Sequence, residues 1–262
     1  MLTLYRTVLL FVVLMLCRVV FTLYNSTVFG EIEWSEIPRL LYGGLRFDTI
    51  SICYAFGVWI VLSLLPLHIR ERGWYKSTLF WYYAVVGAFC VAVNIADAVY
   101  FRYTQKRFTA EEIFFADNDN SAMLVLKFAA ENWYIVLFGI AMIVMLAAGY
   151  WRKTREWSIF NGVWYYIGST LVLVLALGLS LGGIRGGFTK MTRPITLSNS
   201  MLYTMSPNKA NLILSNPFCI IRTMSQHIVV PKFFTEEELD KVYTPSHYAD
   251  DMQRSEMFGC CE

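Results

Sequence analysis

The chain has 262 residues, 56% of them hydrophobic and 16% charged, and carries a net charge of +2; its mean hydropathy is +0.47. A water-soluble domain is about 45–50% apolar and about 25% charged, so a single aqueous core does not accommodate this composition and the membrane class comes first. A charge this close to neutral excludes a general electrostatic attraction to nucleic acid, and no nucleic-acid partner is expected.

The chain opens on "MLTLYRTVLLFVVLMLC". A charged start and an apolar run resemble a secretion signal, but no small-residue cleavage site follows and apolar sequence resumes after Arg18. The stretch therefore reads as a retained first span. Crossing about 30 Å of hydrocarbon takes roughly 20 mostly apolar residues, and five stretches meet this, near residues 4–24, 49–67, 78–100, 133–150 and 160–181. Aromatic residues mark many of their ends, among them Trp74, Tyr75, Trp81, Tyr100, Trp133, Tyr150, Trp151 and Trp157, as expected of side chains that collect at bilayer interfaces. The loops "HIRERGWYK" and "WRKTREW" are short and basic, whereas those holding Glu31, Glu33 and Glu36, and Glu111, Glu112, Asp117 and Asp119, are longer and acidic. Basic loops stay inside. The expected fold is an all-α integral membrane protein with five transmembrane helices, the N-terminus inside and the C-terminus outside, followed by short external juxtamembrane helices.

Ionisable groups at membrane depth are expensive and mark candidate functional positions. Arg18 lies in the outer half of span one, where its stem either snorkels to the interface or meets an anionic head group. Asp48 opens span two, where it serves as an N-cap or contacts a head group or another domain. Asn94 and Asp97 share one face of span three and either tie helices together or line a site. Leaving span five, Gly178, Gly182 and Gly186 recur every four residues, a spacing that allows close packing or a flexible exit. Arg185, Lys190 and Arg193 follow, as head-group contacts or as solvated linker. Between Arg193 and Gln226 the mixed polar and apolar pattern, interrupted by Pro207 and Pro217, predicts short helices lying along the membrane surface. Thr235 and Glu238 have capping-box spacing, which predicts a short solvated helix before a linker.

Cys17, Cys53 and Cys90 each sit in an apolar stretch, where cysteine acts as a small hydrophobe; Cys260 and Cys261 are adjacent, and no C-x-x-C or paired-His spacing suggests a metal site. No nucleophile elbow, P-loop or H-E-x-x-H is present, so the chain offers neither catalytic residues nor metal ligands.

Several short stretches then fall into a familiar order: "GLRFD" at 44–48, the Asn94, Asp97 and Tyr100 trio, "KRFTAEEIF" at 106–114, "IRGGF" at 184–188, "RPITLSNS" at 193–200 and "LSNPFCIIRT" at 214–223. With five spans and an external juxtamembrane segment, the chain resembles the membrane half of the lipoteichoic acid synthase family. These are sulfatase-like phosphoglycerol or phosphoethanolamine transferases of bacteria. The resemblance implies a bacterial cytoplasmic membrane location and phospholipid partners. It also implies a domain plan of a transmembrane domain over 1–182, an external juxtamembrane segment over 183–234, and a linker over 235–262. That linker leads toward a sulfatase-like catalytic domain, missing or separately encoded. In the family, manganese or magnesium activates a threonine in that domain, which attacks a lipid phosphodiester and passes the head group on. "MFGCC" falls where the first catalytic strand should begin; Glu262 is not carried over as a metal ligand, and the chain is expected to be inactive alone. Arg46, Asp48, Arg185 and Arg193 are the expected contacts to head groups or to the catalytic domain. The alternative is a free-standing multi-pass protein, a transporter subunit or partner-binding scaffold, in which Asn94 and Asp97 are pathway residues.

Overall fold

Within a bilayer the backbone has no water to bond with, so each apolar stretch must satisfy its own N–H and C=O groups, which a helix does. In the computed structural model, described for residues 2–30, 32–67, 69, 72–110, 127–151, 162–187 and 195–224, the long apolar stretches are helices throughout. They are α1 (Leu2–Tyr24), α2 (Ser26–Phe29), α3 (Ile37–Leu64), α4 (Gly73–Thr104), α5 (Trp133–Trp151) and α6 (Val163–Arg185). A 3-10 helix (Leu197–Leu202), α7 (Pro207–Ile213) and α8 (Asn216–Thr223) follow. Five of these, α1, α3, α4, α5 and α6, are long and apolar enough to cross a membrane, and no strand occurs among the described residues. The protein is a multi-pass membrane protein, all-helical over the described residues.

Packing faces follow helical periodicity. On α1 the buried residues are Leu10, Val13, Leu14, Cys17 and Phe21, the i, i+3, i+4, i+7 pattern of one helix face carried one turn further. That face makes α1 the central helix, touching α3, α4 and α5. One apolar cluster surrounds Leu10, Phe56, Trp59, Tyr83, Leu146 and Tyr150. A second, at the end where α1 finishes and α3 begins, gathers Phe21, Phe47, Phe101, Ile213, Phe218 and Cys219. By contrast α6 packs mainly on α3, and its only buried residue is Gly182.

Three expectations change. The second span starts twelve residues earlier than the apolar run suggests, because Pro38 opens α3 in its first turn, where proline's fixed φ suits a helix. Asp48 is therefore inside α3 and cannot be its N-cap. The glycines after span five do not make a flexible exit: α6 continues to Arg185, and Gly186, at φ 75°, is its left-handed C-cap, a conformation that favours glycine. A Cβ at Gly183 would meet Cys53 Sγ at 2.8 Å, so this stretch packs closely on α3. Gly178, with nothing within 4 Å of a Cβ, takes no part.

The juxtamembrane segment also departs from expectation. Serines precede both short helices and a proline stands in the first turn of each, Ser206 and Pro207 for α7, Ser215 and Pro217 for α8. Instead of lying on a surface, α7 and α8 sink into the second apolar cluster against α3 and α4. Phe218 stacks edge-on against Phe47 at 5.1 Å, and Ile213, Phe218 and Cys219 have no solvent-exposed surface. Residues 227–262, including the predicted capping box at Thr235, lie outside the described residues.

Burial pushes the Cys219 thiol up to about 12, so at neutral pH it carries no reactive thiolate. In the native protein at pH 7.5, peptide mapping after maleimide treatment should show Cys219 unmodified, with full modification after denaturation. Modification of native Cys219 would mean that α8 is not seated in the bundle.

Candidate functional site

Two arginines organise the end of the bundle where α7 and α8 enter. A seven-residue helix such as α7 leaves its last carbonyls without intrahelical partners, and those carbonyls carry the negative end of the helix dipole. Arg18, from α1, meets them directly. Its Nη1 donates to the carbonyls of Leu212 and Ile213, each at 2.5 Å. Its Nη2 donates to the Gly44 carbonyl at 3.1 Å and to Asp48 Oδ1 at 2.6 Å. Arg107, in the stretch just after α4, closes from the other side. Its Nε donates to the Asn211 carbonyl at 3.1 Å and its Nη2 to the Leu214 carbonyl at 2.6 Å, while Nη1 pairs with Asp97 Oδ2. The two guanidiniums thus converge on the four carbonyls from Asn211 to Leu214.

Each cation has its own counter-charge: Asp48 for Arg18 and Asp97 for Arg107. All four side chains are at most 9% exposed. Burying a charge is tolerable when it is paired and hydrogen-bonded. The carbonyls take up Nη1 of Arg18 and Nε and Nη2 of Arg107, while Arg18 Nε and Asp48 Oδ2 stay buried without a hydrogen-bond partner among the described residues. Asp97 Oδ1 also accepts from the Phe108 backbone N–H at 2.7 Å. Asn216 Nδ2 donates to the Phe108 carbonyl at 3.2 Å, and the Ala110 N–H donates to Thr223 Oγ1 at 2.9 Å. The stretch after α4 is therefore bound along α8. The Arg107 guanidinium lies 4.0 Å from the centre of the Phe21 ring, a cation–π contact.

Close approach depends on the Gly43–Gly44 pair of α3. A Cβ on Gly43 would stand 2.9 Å from Ile213 and from the Tyr203 ring; one on Gly44 would stand 2.8 Å from Arg18 Cζ. One glycine admits α7 and the other admits the guanidinium. Arg46, the next polar residue along α3, donates to the Tyr203 hydroxyl at 2.9 Å and to the Gly186 carbonyl. A third arginine thereby meets a second helix C-terminus, that of α6.

Of the residues singled out from the sequence, Arg18, Asp48 and Asp97 come together here and Asn94 borders the same space. Arg18 neither snorkels nor reaches outward. Asn94 donates to its own helix, to the Cys90 carbonyl at 2.8 Å. Arg46 sits at the rim, Arg185 is exposed at the end of α6, and Arg193 lies outside the described residues. Arg107 and Asn25 were missed. Arg107 lacks any periodic signal, and only the need of Asp97 for a cation pointed to it. Asn25, fully buried just beyond α1, donates to the carbonyls of Phe21 and Ala98, both at 3.1 Å, and so ties α1 to α4.

The arrangement holds structure in place. The small cavity between Arg18, Asp48, Asn94, Arg107 and Ser215 measures about 10 Å³, room for one water and no more. Among the described residues no cluster of three His, Cys, Asp or Glu side chains is placed to hold a metal ion. No protein-family model, curated protein or solved structure matches this chain.

Removing one member of a buried pair strands the other, at a cost of about 3–5 kcal/mol. Arg18→Leu and Asp48→Leu should each destabilise the folded protein by about that much in a denaturant titration. The double variant should recover part of the loss, but not all, because the Leu212 and Ile213 carbonyls still lack a donor. Equal stability of wild type and Asp48→Leu would contradict this.

Proposed function

We propose that the chain is the membrane-anchoring and lipid-presenting module of a sulfatase-like transferase. Such an enzyme moves a phosphoglycerol or phosphoethanolamine head group from a phospholipid to an envelope acceptor at the outer face of a bacterial cytoplasmic membrane. The observation that carries the reading is the convergence of the separate short motifs. Gly44 and Asp48 of "GLRFD", the pair of Asp97 with Arg107 from "KRF", and the Leu214–Phe218 part of "LSNPF" meet around the C-terminus of α7. Motifs scattered along the chain thus act together to fix the segment beyond the last span onto the bundle.

A catalytic domain that attacks a phosphodiester at the membrane surface must be held at a set height over it. A juxtamembrane segment anchored by two buried ion pairs provides such a mount, and a loose tether does not. Arg46 at the rim and exposed Arg185 are suited to an anionic head group. On this reading the metal-activated chemistry belongs to the catalytic domain, and both aspartates here are committed to arginines. The alternative role of Asn94 and Asp97 as transport-pathway residues gains no support, since both Asp97 oxygens accept hydrogen bonds.

To test the reading, the chain is fused to a related soluble catalytic domain and transfer from a labelled phospholipid is followed in proteoliposomes. Effective-concentration arguments give a gain of about 10²-fold or more over the free domain. The Arg18→Leu fusion should still insert yet lose most of that gain. A fusion no faster than the free domain would refute the reading.

A further inference from the structure

The segment leading into α7 carries large apolar side chains that point away from the bundle. Met205 is 98% exposed, Leu202 72% and Met201 44%. They do not belong to a loose loop. Thr196 and Asn199 form a capping box at the start of the 3-10 helix, and the Ser200 hydroxyl donates to the Leu197 carbonyl at 2.8 Å. Tyr203, between the exposed residues, is fixed to α3: its hydroxyl accepts from Arg46 at 2.9 Å, and its ring meets that of Tyr42 edge-on at 6.0 Å.

The height of this attachment follows from helix length. At about 1.5 Å per residue, α3 is roughly 42 Å long, against about 30 Å of hydrocarbon. The apolar run of α3 begins only near residue 49, so the excess length falls at its N-terminal end, which puts Tyr42 and Tyr203 at the level of the interface where tyrosines concentrate. The exposed surface of α3 continues the patch through Leu41, Tyr42 and Leu45. Arg39 and Arg185 are exposed on the neighbouring ends of α3 and α6, and the carbonyl of Gly186, next to Arg185, accepts from Arg46.

From this placement we infer that Met201, Leu202 and Met205 form an apolar foot that dips into the leaflet at the N-terminal end of α3. There it contacts the boundary between head groups and acyl chains of phospholipids. The occupant is lipid because the patch continues the lipid-facing surface of a membrane-spanning helix, at a level flanked by tyrosines and arginines suited to anionic head groups.

The test places the photoreactive residue p-benzoylphenylalanine at position 202, 205 or, as a control, at exposed Glu33 in the full chain. The protein is reconstituted in vesicles of phosphatidylglycerol and phosphatidylethanolamine, irradiated and digested. Phospholipid-adducted peptide should be several-fold more abundant from positions 202 and 205 than from 33. Equal adduct yields at the three positions would overturn the proposal, and covalent dimers through 202 or 205 would assign the face to a second copy of the chain instead.

Discussion

A guanidinium buried in a helical bundle needs a counter-charge and acceptors for the N–H groups the counter-charge leaves over. Arg18 and Arg107 both find the second requirement at the same place, the unsatisfied carbonyls at the end of α7. This shared need governs the architecture at that end of the protein. It sets where α7 stops, which glycines α3 must carry, and why aspartates occur at positions 48 and 97. The helix dipole adds to the match, since each cation sits at the negative end of a helix whose carbonyls it completes. Arg46 repeats the device on a smaller scale at the end of α6.

The charges cancel in pairs, so the cluster has no net charge to attract an ion. Its value lies in position. Apolar packing alone tolerates sliding of a short helix, whereas a set of directional hydrogen bonds to a planar guanidinium fixes register. The segment from Asn211 to Phe218 is therefore held at a defined depth and orientation relative to α1, α3 and α4. Helix α6, which buries a single glycine and packs mainly on α3, is held at its C-terminus by the single guanidinium of Arg46.

The spans were legible because hydrophobicity over some 20 residues is a long-range average that local exceptions barely disturb. Helices α1 and α5 begin and end within two residues of their apolar runs. The start of α3 was hidden by the very residues that make the site. Gly43, Gly44, Arg46 and Asp48 lower the hydropathy of its first turns, and Pro38 was the only nearby signal of a helix start. The juxtamembrane helices read as surface elements because residues 207–224 mix polar and apolar types. Many of their polar groups find partners within the bundle: Asn216 Nδ2 with Phe108, Thr223 with Ala110 and Cys219, and the α7 carbonyls with arginine. Pairing between Arg18 and Asp48 lies thirty positions apart, a relation that no local pattern carries.

The most direct test of the central claim is a cross-link between α3 and α7. A Cβ on Gly43 would lie 2.9 Å from Ile213 Cγ2, an atom whose place a cysteine sulfur at 213 can take to form the bridge, while the Tyr203 ring, also at 2.9 Å, shifts slightly to admit it. In native membranes, oxidation of the Gly43→Cys, Ile213→Cys double variant should give a disulfide between these two positions in nearly all molecules, detected by peptide mapping. If the two cysteines stay separately alkylatable in folded protein, α7 is not seated against α3, and the clamp described here does not form.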